Sequence, residues 1–457
     1  MKIGRTMNIS ERVDKTFSDL FPFNRSLTGR GVLQTFEYIK ENFLPNAEVK
    51  SVASGSKVFD WEIPDEWNIF AGYVLNANGK KIIDFEENNL HVVSYSTAID
   101  KIVEQDELLK HIHTLSVYPD RIPYRTSYYK KNWGFCCTQE LVDSELFIGP
   151  FRAVIDSHHD KKGKLHWLEC VKPGALNDEI LISTYCCHPS LANDNLSGIV
   201  LALFLFDHLS SIDTKYTYRL VIVPETIGAI AFLSQATTNL IKGGMVLSCV
   251  AGPDPVSLKE GFDRNHFMNK AAHLAIKQCV GEQYTTYPFA PDGSDERQYS
   301  TPGLRIVTPS IHKSKYYEYD QYHTSADNLD YISSKALCET LDVYKEWIQL
   351  IESFCFPKRK EMFCEFQLGR RNLYPSIGGT LNQSAHDENI HGSQRRGFSF
   401  NEKIDITGGH LDAFNWLMHL ADGSISNFEI SEISGLNISI INEAIGAMYQ
   451  KDLLELK

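Results

Sequence analysis

Six side chains capable of metal or proton chemistry fall at or beside the ends of apolar runs. His188 and Asp194 share the loop "CCHPSLANDNLSG" after "EILISTY", and Glu225 closes "YRLVIVPE". Cys249 stands near the end of "GGMVLSCV", Asp295 lies in "PDGSDERQY" just before "GLRIVTP", and His323 follows that last run. In an open parallel sheet, ligands gather beyond the carboxyl ends of the strands. The order of these segments therefore predicts that separate parts of the chain converge on one edge. Histidine and carboxylate together suit a divalent cation, and zinc takes both at short range. A catalytic zinc keeps one position for water and lowers its pKa towards about 7. Glu225 is then placed to accept the proton.

Each residue also has a structural reading. His188 before Pro189 could close a strand, and Asp194 between Asn193 and Asn195 could cap the next helix, a role Asp and Asn fill well. Asp295 could pair with Arg297, and His323 could start a helix capped by Thr324 or Ser325. Glu225 after Pro224 resists such an account, because a carboxylate ending an apolar strand needs a partner. Cys249 is either a soft ligand or a strand cysteine acting as inert packing. The convergence of several segments, more than any single residue, favours a metal.

The elements that must position these groups lie between about Phe147 and Phe356. Apolar runs of strand length alternate there with helix-like segments such as "SGIVLALFLFDHLSS" and "NKAAHLAIKQCV". That alternation predicts an α/β domain whose mostly parallel sheet is covered by helices on both faces. Upstream, helical periodicity runs through Val13, Phe17 and Leu20 and again through Val32, Phe36 and Ile39. From about Lys57 to Glu140 short alternating segments rich in Tyr and Trp, with a hairpin signal at Asn78-Gly79, read as a β-rich module. "NQSAHDENIHGSQRRG" has the composition of a linker. Beyond it, three short helices and a Leu-rich tail suggest a winged helix. The predicted organisation is a discontinuous α/β domain over 1–56 and 141–381, the β-rich module over 57–140, a linker over 382–400 and a winged-helix domain over 401–457.

A chain of 457 residues is expected to form two or three domains, and 43% hydrophobic with 23% charged residues supports a sizeable core. The formal net charge of −13 argues against nucleic acid and against an anionic membrane surface. The start "MKIGRTMNIS" lacks the apolar stretch of a signal peptide, and no apolar run approaches the roughly 18 residues of a membrane span. Ten cysteines, with adjacent pairs at Cys136-Cys137 and Cys186-Cys187, show neither a disulfide framework nor C-x-x-C spacing. These features predict a cytoplasmic protein with reduced thiols.

The composite of "HPSLANDNLSG", "PETIG", "GSDERQY" and "YHTSADNLD" resembles a bacterial group of aminopeptidase-like proteins, often labelled with polysaccharide biosynthesis. That group looks like a branch of the zinc-dependent exopeptidases of clan MH. "NRSLTGRGV", "DWEIPDEWNI", "IPYRTSYYKKNWGFC" and "LGRRNLYPSIGG" extend the likeness over most of the chain. The resemblance implies a zinc-exopeptidase-like fold, an inserted β-rich domain and a C-terminal winged helix. It matches His188 and Asp194 to the first metal loop, with Asp194 in the bridging position. Glu225 matches the general base, His323 the late histidine ligand, and Asp295 an aspartate near the site. Three departures follow. Thr226 stands where two-zinc relatives carry a second glutamate, Cys249 where they carry an aspartate ligand, and Ser190 where an aspartate orients the first histidine. One zinc held by His188, Asp194 and His323 is therefore expected over two, with Glu225 as base or fourth ligand.

This implies metal-assisted hydrolysis of an amide or peptide bond in a small substrate. Arg297, Tyr322 and Tyr299 are candidates to hold substrate or oxyanion, and Glu225 or Asp295 to receive a free amine. The rival reading is a catalytically inactive binding scaffold, favoured by Thr226 and Cys249. A DNA-binding regulator is the least supported: between Leu411 and Lys457 seven acidic residues face two lysines. The expected partner is thus a small peptide or amide, with no nucleic acid and no membrane, and self-association into a homo-oligomer is compatible with the chain.

Overall fold

The computed structural model describes residues 7–128, 130–374 and 408–457, so the expected linker over 382–400 lies outside the described residues. Compactness divides the chain into Met1–Ile348 and Gln349–Lys457.

The first unit is built on a five-stranded sheet. Its strands are β1 (Glu48–Ala53), β2 (Lys164–Lys172), β3 (Glu179–Tyr185), β4 (Thr217–Val223) and β5 (Ile241–Leu247). They lie in the order β1-β2-β4-β3-β5. β3 runs parallel to both neighbours, with Tyr185 opposite Val223 and Thr184 opposite Leu247, so three carboxyl ends finish at one edge. β1 and β2 join through antiparallel pairings on the far side of β4. The run "EILISTY" is buried at every position, as a central strand covered on both faces must be. Helices α1 (Ser197–Leu209) and α2 (Ile227–Gln235) follow β3 and β4. Both are apolar almost all round, the composition of a helix enclosed in a core. α1 begins hard against β5: a Cβ on Gly198 would fall 2.4 Å from the carbonyl oxygen of Leu247.

Past β5 the expected strand "GLRIVTP" behaves differently from its neighbours. Val307 and Pro309 accept hydrogen bonds from Gly244 and Val246 of β5, yet regular pairing begins only at Ser310–Lys313. Pro309 has no N–H to give back, which breaks the ladder there. Ser310–Lys313 then pairs antiparallel with Val256–Lys259. His312 in this strand is fully buried; its Nδ1 bonds the carbonyl of Ser248 at 2.6 Å and its Nε2 has no partner among the described residues. Burial pushes this imidazole down to about 3. The unfolded chain, titrating near 6.5, takes up the proton first, so stability present above about pH 6.5 is lost as pH falls towards 3. At about 1.4 kcal/mol per pKa unit the loss reaches several kcal/mol. His312→Asn, which keeps a donor for Ser248, is expected to flatten urea-unfolding stability between pH 6.5 and 4. An unchanged slope would remove His312 as its source.

The β-rich segment forms a four-stranded antiparallel sheet in the order Lys81–Asp84, Glu66–Leu75, Phe151–Asp160, Ile99–Val103. The hairpin around Asn78-Gly79 joins the first two, with Gly79 at φ 73°. Phe151–Asp160 lies past the boundary expected at 140, and its pairing with Glu66–Leu75 makes the sheet continuous. Phe135, Phe147, Phe151 and Val74 pack its interior. A second core joins Ile63, Trp67 and Tyr95 of the insert to Trp167, Val221 and Phe232 of the α/β body. That shared core explains why the insert does not stand apart as a unit.

In the second unit three helices, Gly408–Leu420, Asn427–Ser434 and Ile438–Gln450, precede the strand Leu454–Leu456. That strand pairs with Pro357–Arg359. Residues 349–374, expected with the α/β body, thus belong with these helices, and the Phe354 and Phe428 rings meet at 5.2 Å. Among the described residues no helix is long and apolar enough to cross a membrane.

Candidate metal centre

The polar loop after β3 divides its labour. Asn195 Nδ2 donates to Thr184 Oγ1 at 2.9 Å, and Asn195 Oδ1 accepts from the Cys249 amide at 3.3 Å, tying the ends of β3 and β5 together. Asn193 Oδ1 accepts from the Ala251 amide and Ser197 Oγ from the Val250 amide, both at 3.0 Å. Asp327 holds the loop from the other side, accepting from the amides of Asn193 at 2.6 Å and Asp194 at 3.0 Å. The Asp194 carboxylate is left to face His188 and His323. It does not cap α1, whose N-terminus has no side-chain cap. Its Oδ1 accepts from the Tyr185 hydroxyl, which also bonds Ser248.

His188, Asp194 and His323 meet at this edge, each able to offer one ligand atom within 4.8 Å of the others. His323 Nε2 lies 3.0 Å from Asp194 Oδ2, and His188 Nε2 lies 3.9 Å from the same oxygen. Ligands of a tetrahedral zinc at about 2.0–2.1 Å stand roughly 3.3 Å apart, so these spacings fit one ion. Apart from their 3.0 Å approach to each other, Asp194 Oδ2 and His323 Nε2 are buried with no hydrogen-bond partner among the described residues. Two buried ligand atoms with no partner beyond each other are what a cation site needs. Burial lowers the His188 imidazole to about 4, keeping it neutral. Burial alone would raise Asp194, but His188 and His323 hold it down at about 2. Both are in their ligating forms.

Glu225 Oε2 sits 3.9 Å from His188 Nε2. Burial, followed by the nearby carboxylates of Asp295 and Asp194, pushes its carboxyl well above the usual range. Asp295 and Arg297 do not pair with each other. Both go to Thr226, whose amide donates to Asp295 Oδ1 at 2.7 Å and whose hydroxyl accepts from Arg297 Nη2 at 2.9 Å. Tyr322 stacks on the His323 ring at 3.9 Å. Two candidates stand elsewhere. Tyr299 is fully buried with its hydroxyl on Ser183, away from the cavity, because its short helix turns it into the core. Cys249 packs with Tyr316 and Tyr319 and joins neither group of converging ligand atoms among the described residues. Ser190, Thr226, Cys249 and His323 all have positive φ, a clustering of unfavourable backbone typical of functional sites.

Sequence reasoning missed several neighbours. Cys187 Sγ groups with His188 and Glu225 and accepts from the Glu225 amide at 3.2 Å. Asp327 lay unassigned inside "YHTSADNLD". Tyr124 comes from the insert: its amide donates to the His323 carbonyl at 2.8 Å, and its ring lies 5.1 Å from both His188 and His323. Tyr124, Thr126 and Tyr128 roof a cavity of about 130 Å³ floored by His188, Glu225 and His323. Only the aromatic richness of "IPYRTSYYKKNWGFC" hinted at this roof.

Comparison with known proteins bears on this arrangement. A family model described as "Domain of unknown function (DUF4910)" matches residues 14–353. The chain belongs to the DUF4910 family. A relative named "Putative polysaccharide biosynthesis protein with aminopeptidase-like domain", from Clostridium acetobutylicum, is 41% identical over 440 residues, 96% of this chain and 94% of that protein. A crystal structure of a "putative peptidase" from the same organism superposes with a TM-score of 0.84 at 38% identity, covering 98% of each chain. The zinc aminopeptidase BSAP of Bacillus subtilis shares the fold at 12% identity and TM-score 0.54, over 74% of this chain and 94% of that one. The DUF4910 chain thus has an aminopeptidase-like fold, and its neighbours include zinc aminopeptidases.

Proposed function

We propose that the chain is a metal-dependent hydrolase of the aminopeptidase type, cleaving an amide or peptide bond in a small substrate. The observation that carries this is the meeting of His188, Asp194 and His323, with Asp194 Oδ2 and His323 Nε2 buried and partnered by nothing but each other among the described residues. These three residues would hold one zinc ion, which when bound activates water and polarises the carbonyl. Glu225 takes the proton from the water and passes it to the leaving amine. Asp194, fixed by Tyr185 and through its amide by Asp327, keeps the ligand set in register. Asp295, Arg297 and Tyr322 flank the reacting groups and hold substrate. A second ion has no carboxylate at Thr226, whose hydroxyl is taken by Arg297. None of the ten cysteines is in a disulfide among the described residues, which suits reaction in the cytoplasm.

That same Thr226, with Cys249 packed among tyrosines, favours the second reading, an inactive scaffold. Metal content separates the two. Purified chain is expected to carry about one zinc per chain, and His188→Ala about none, as read by elemental analysis. Two ions per chain would make this ligand set incomplete. None under zinc-replete conditions would leave the scaffold reading in front.

A further inference from the structure

A histidine that ligates through one ring nitrogen needs a partner for the other, because that hydrogen bond fixes which nitrogen keeps the proton. His188, buried at the edge of the sheet, turns Nε2 towards Asp194 Oδ2 and Glu225 Oε2, each 3.9 Å away. Among the described residues the hydrogen-bond partner of its Nδ1 is Cys187 Sγ, at 3.6 Å. Ser190, two residues on, is turned to the insert instead, where its hydroxyl accepts from Asn89 Nδ2 at 2.9 Å.

The sulfur is itself fixed. Cys187 is buried, and its Sγ accepts from the Glu225 amide at 3.2 Å. One atom therefore touches both the ring that faces Asp194 and the backbone of the residue that carries the base carboxylate. The same distances decide where the proton of the neutral ring belongs. On Nε2 it would find no acceptor in hydrogen-bond reach, since both carboxylate oxygens stand at 3.9 Å. On Nδ1 it finds the sulfur, a weak acceptor already used as one by the Glu225 amide.

We propose that Cys187 is the positioning residue of the centre: its sulfur accepts the Nδ1 proton of His188 and so leaves Nε2 free to ligate beside Asp194. The inference rests on the metal reading only for what Nε2 then binds.

The test is nitrogen NMR of the metal-free full chain grown with isotope-labelled histidine, with His188→Ala identifying the His188 signals. The proton is expected on Nδ1 in the wild type, and Cys187→Ala is expected to lose that preference. Competition with a metal indicator is expected to show zinc held about ten- to a hundredfold more weakly by Cys187→Ala. Cys187→Ser, which keeps an acceptor at the same place, is expected to recover most of the difference. Melting curves of the metal-free variants confirm that they fold. A proton on Nε2 in the wild type overturns the inference and needs no Cys187 variant. So does an alanine variant that keeps the Nδ1 proton or binds zinc as tightly as the wild type, and so does a serine variant no better than the alanine one. A wild-type chain that takes up no zinc, yet keeps the Nδ1 proton only while Cys187 is present, sinks the metal reading and leaves the positioning role standing. Zinc bound equally by the wild type and Cys187→Ala does the reverse.

Discussion

Glu225→Gln is expected to lower kcat by about 10²–10⁴-fold, the range for loss of a general base, while zinc content stays near that of the wild type. The glutamine keeps the size of the side chain and can still accept a hydrogen bond, so the loop is undisturbed, but it cannot take a proton. Glu225 touches the centre only through the 3.9 Å approach of its carboxylate to His188 Nε2. Its backbone amide, bonded to Cys187 Sγ, is unaffected by the change. KM is expected to move little, because the lost interaction belongs to the proton-transfer step. Parallel measurement of kcat and bound metal decides the outcome. Near-normal turnover would remove Glu225 as the base, and loss of the ion together with activity would make it a ligand instead.

Asp327→Ala is expected to destabilise the metal-free chain by about 2–4 kcal/mol and to weaken metal binding about ten- to a hundredfold. The carboxylate accepts three hydrogen bonds, from the amides of Asn193 and Asp194 and, at 3.0 Å, from the Tyr319 hydroxyl. Removing it orphans three buried donors, each costing about 1–3 kcal/mol. The loss is offset in part because burial pushes the Asp327 carboxyl up to about 7, so the native residue is itself costly to hold. Urea unfolding in chelator gives the first quantity, and competition with a metal indicator the second. A variant that loses stability but binds metal as tightly as the wild type would show that Asp327 supports the fold without tuning the ligand.

The strands were legible because each is a short apolar run that a buried parallel strand requires, and "EILISTY" matches β3 residue for residue. His188 and Glu225 could be placed for the same reason: each follows a strand whose end is unambiguous. Asp194 was ambiguous, since an aspartate before a helix usually caps it, and only the Tyr185 hydroxyl and the His323 ring show that it does not. Tyr124 was out of reach because it meets His323 through a pairing of segments about two hundred residues apart, such as Ile122 with Ser325. No local pattern encodes such a contact. Phe151–Asp160 alternates as an insert strand would, but the boundary expected at 140 left it with the α/β domain that follows. Pro357–Arg359 is too short to register before its partner Leu454–Leu456 is seen.

The grip of Tyr124 on the His323 carbonyl has a consequence for biosynthesis. His188 and Asp194 leave the ribosome well before His323 and Asp327, and the insert that seats His323 precedes them all. A chain folding from its N-terminus can finish the sheet edge and the roof, yet it holds an incomplete cage until residues past 327 arrive and dock beneath Tyr124. If the cage holds an ion as proposed, its capture is thus a late event, reporting that the contact of Tyr124 with His323 has closed.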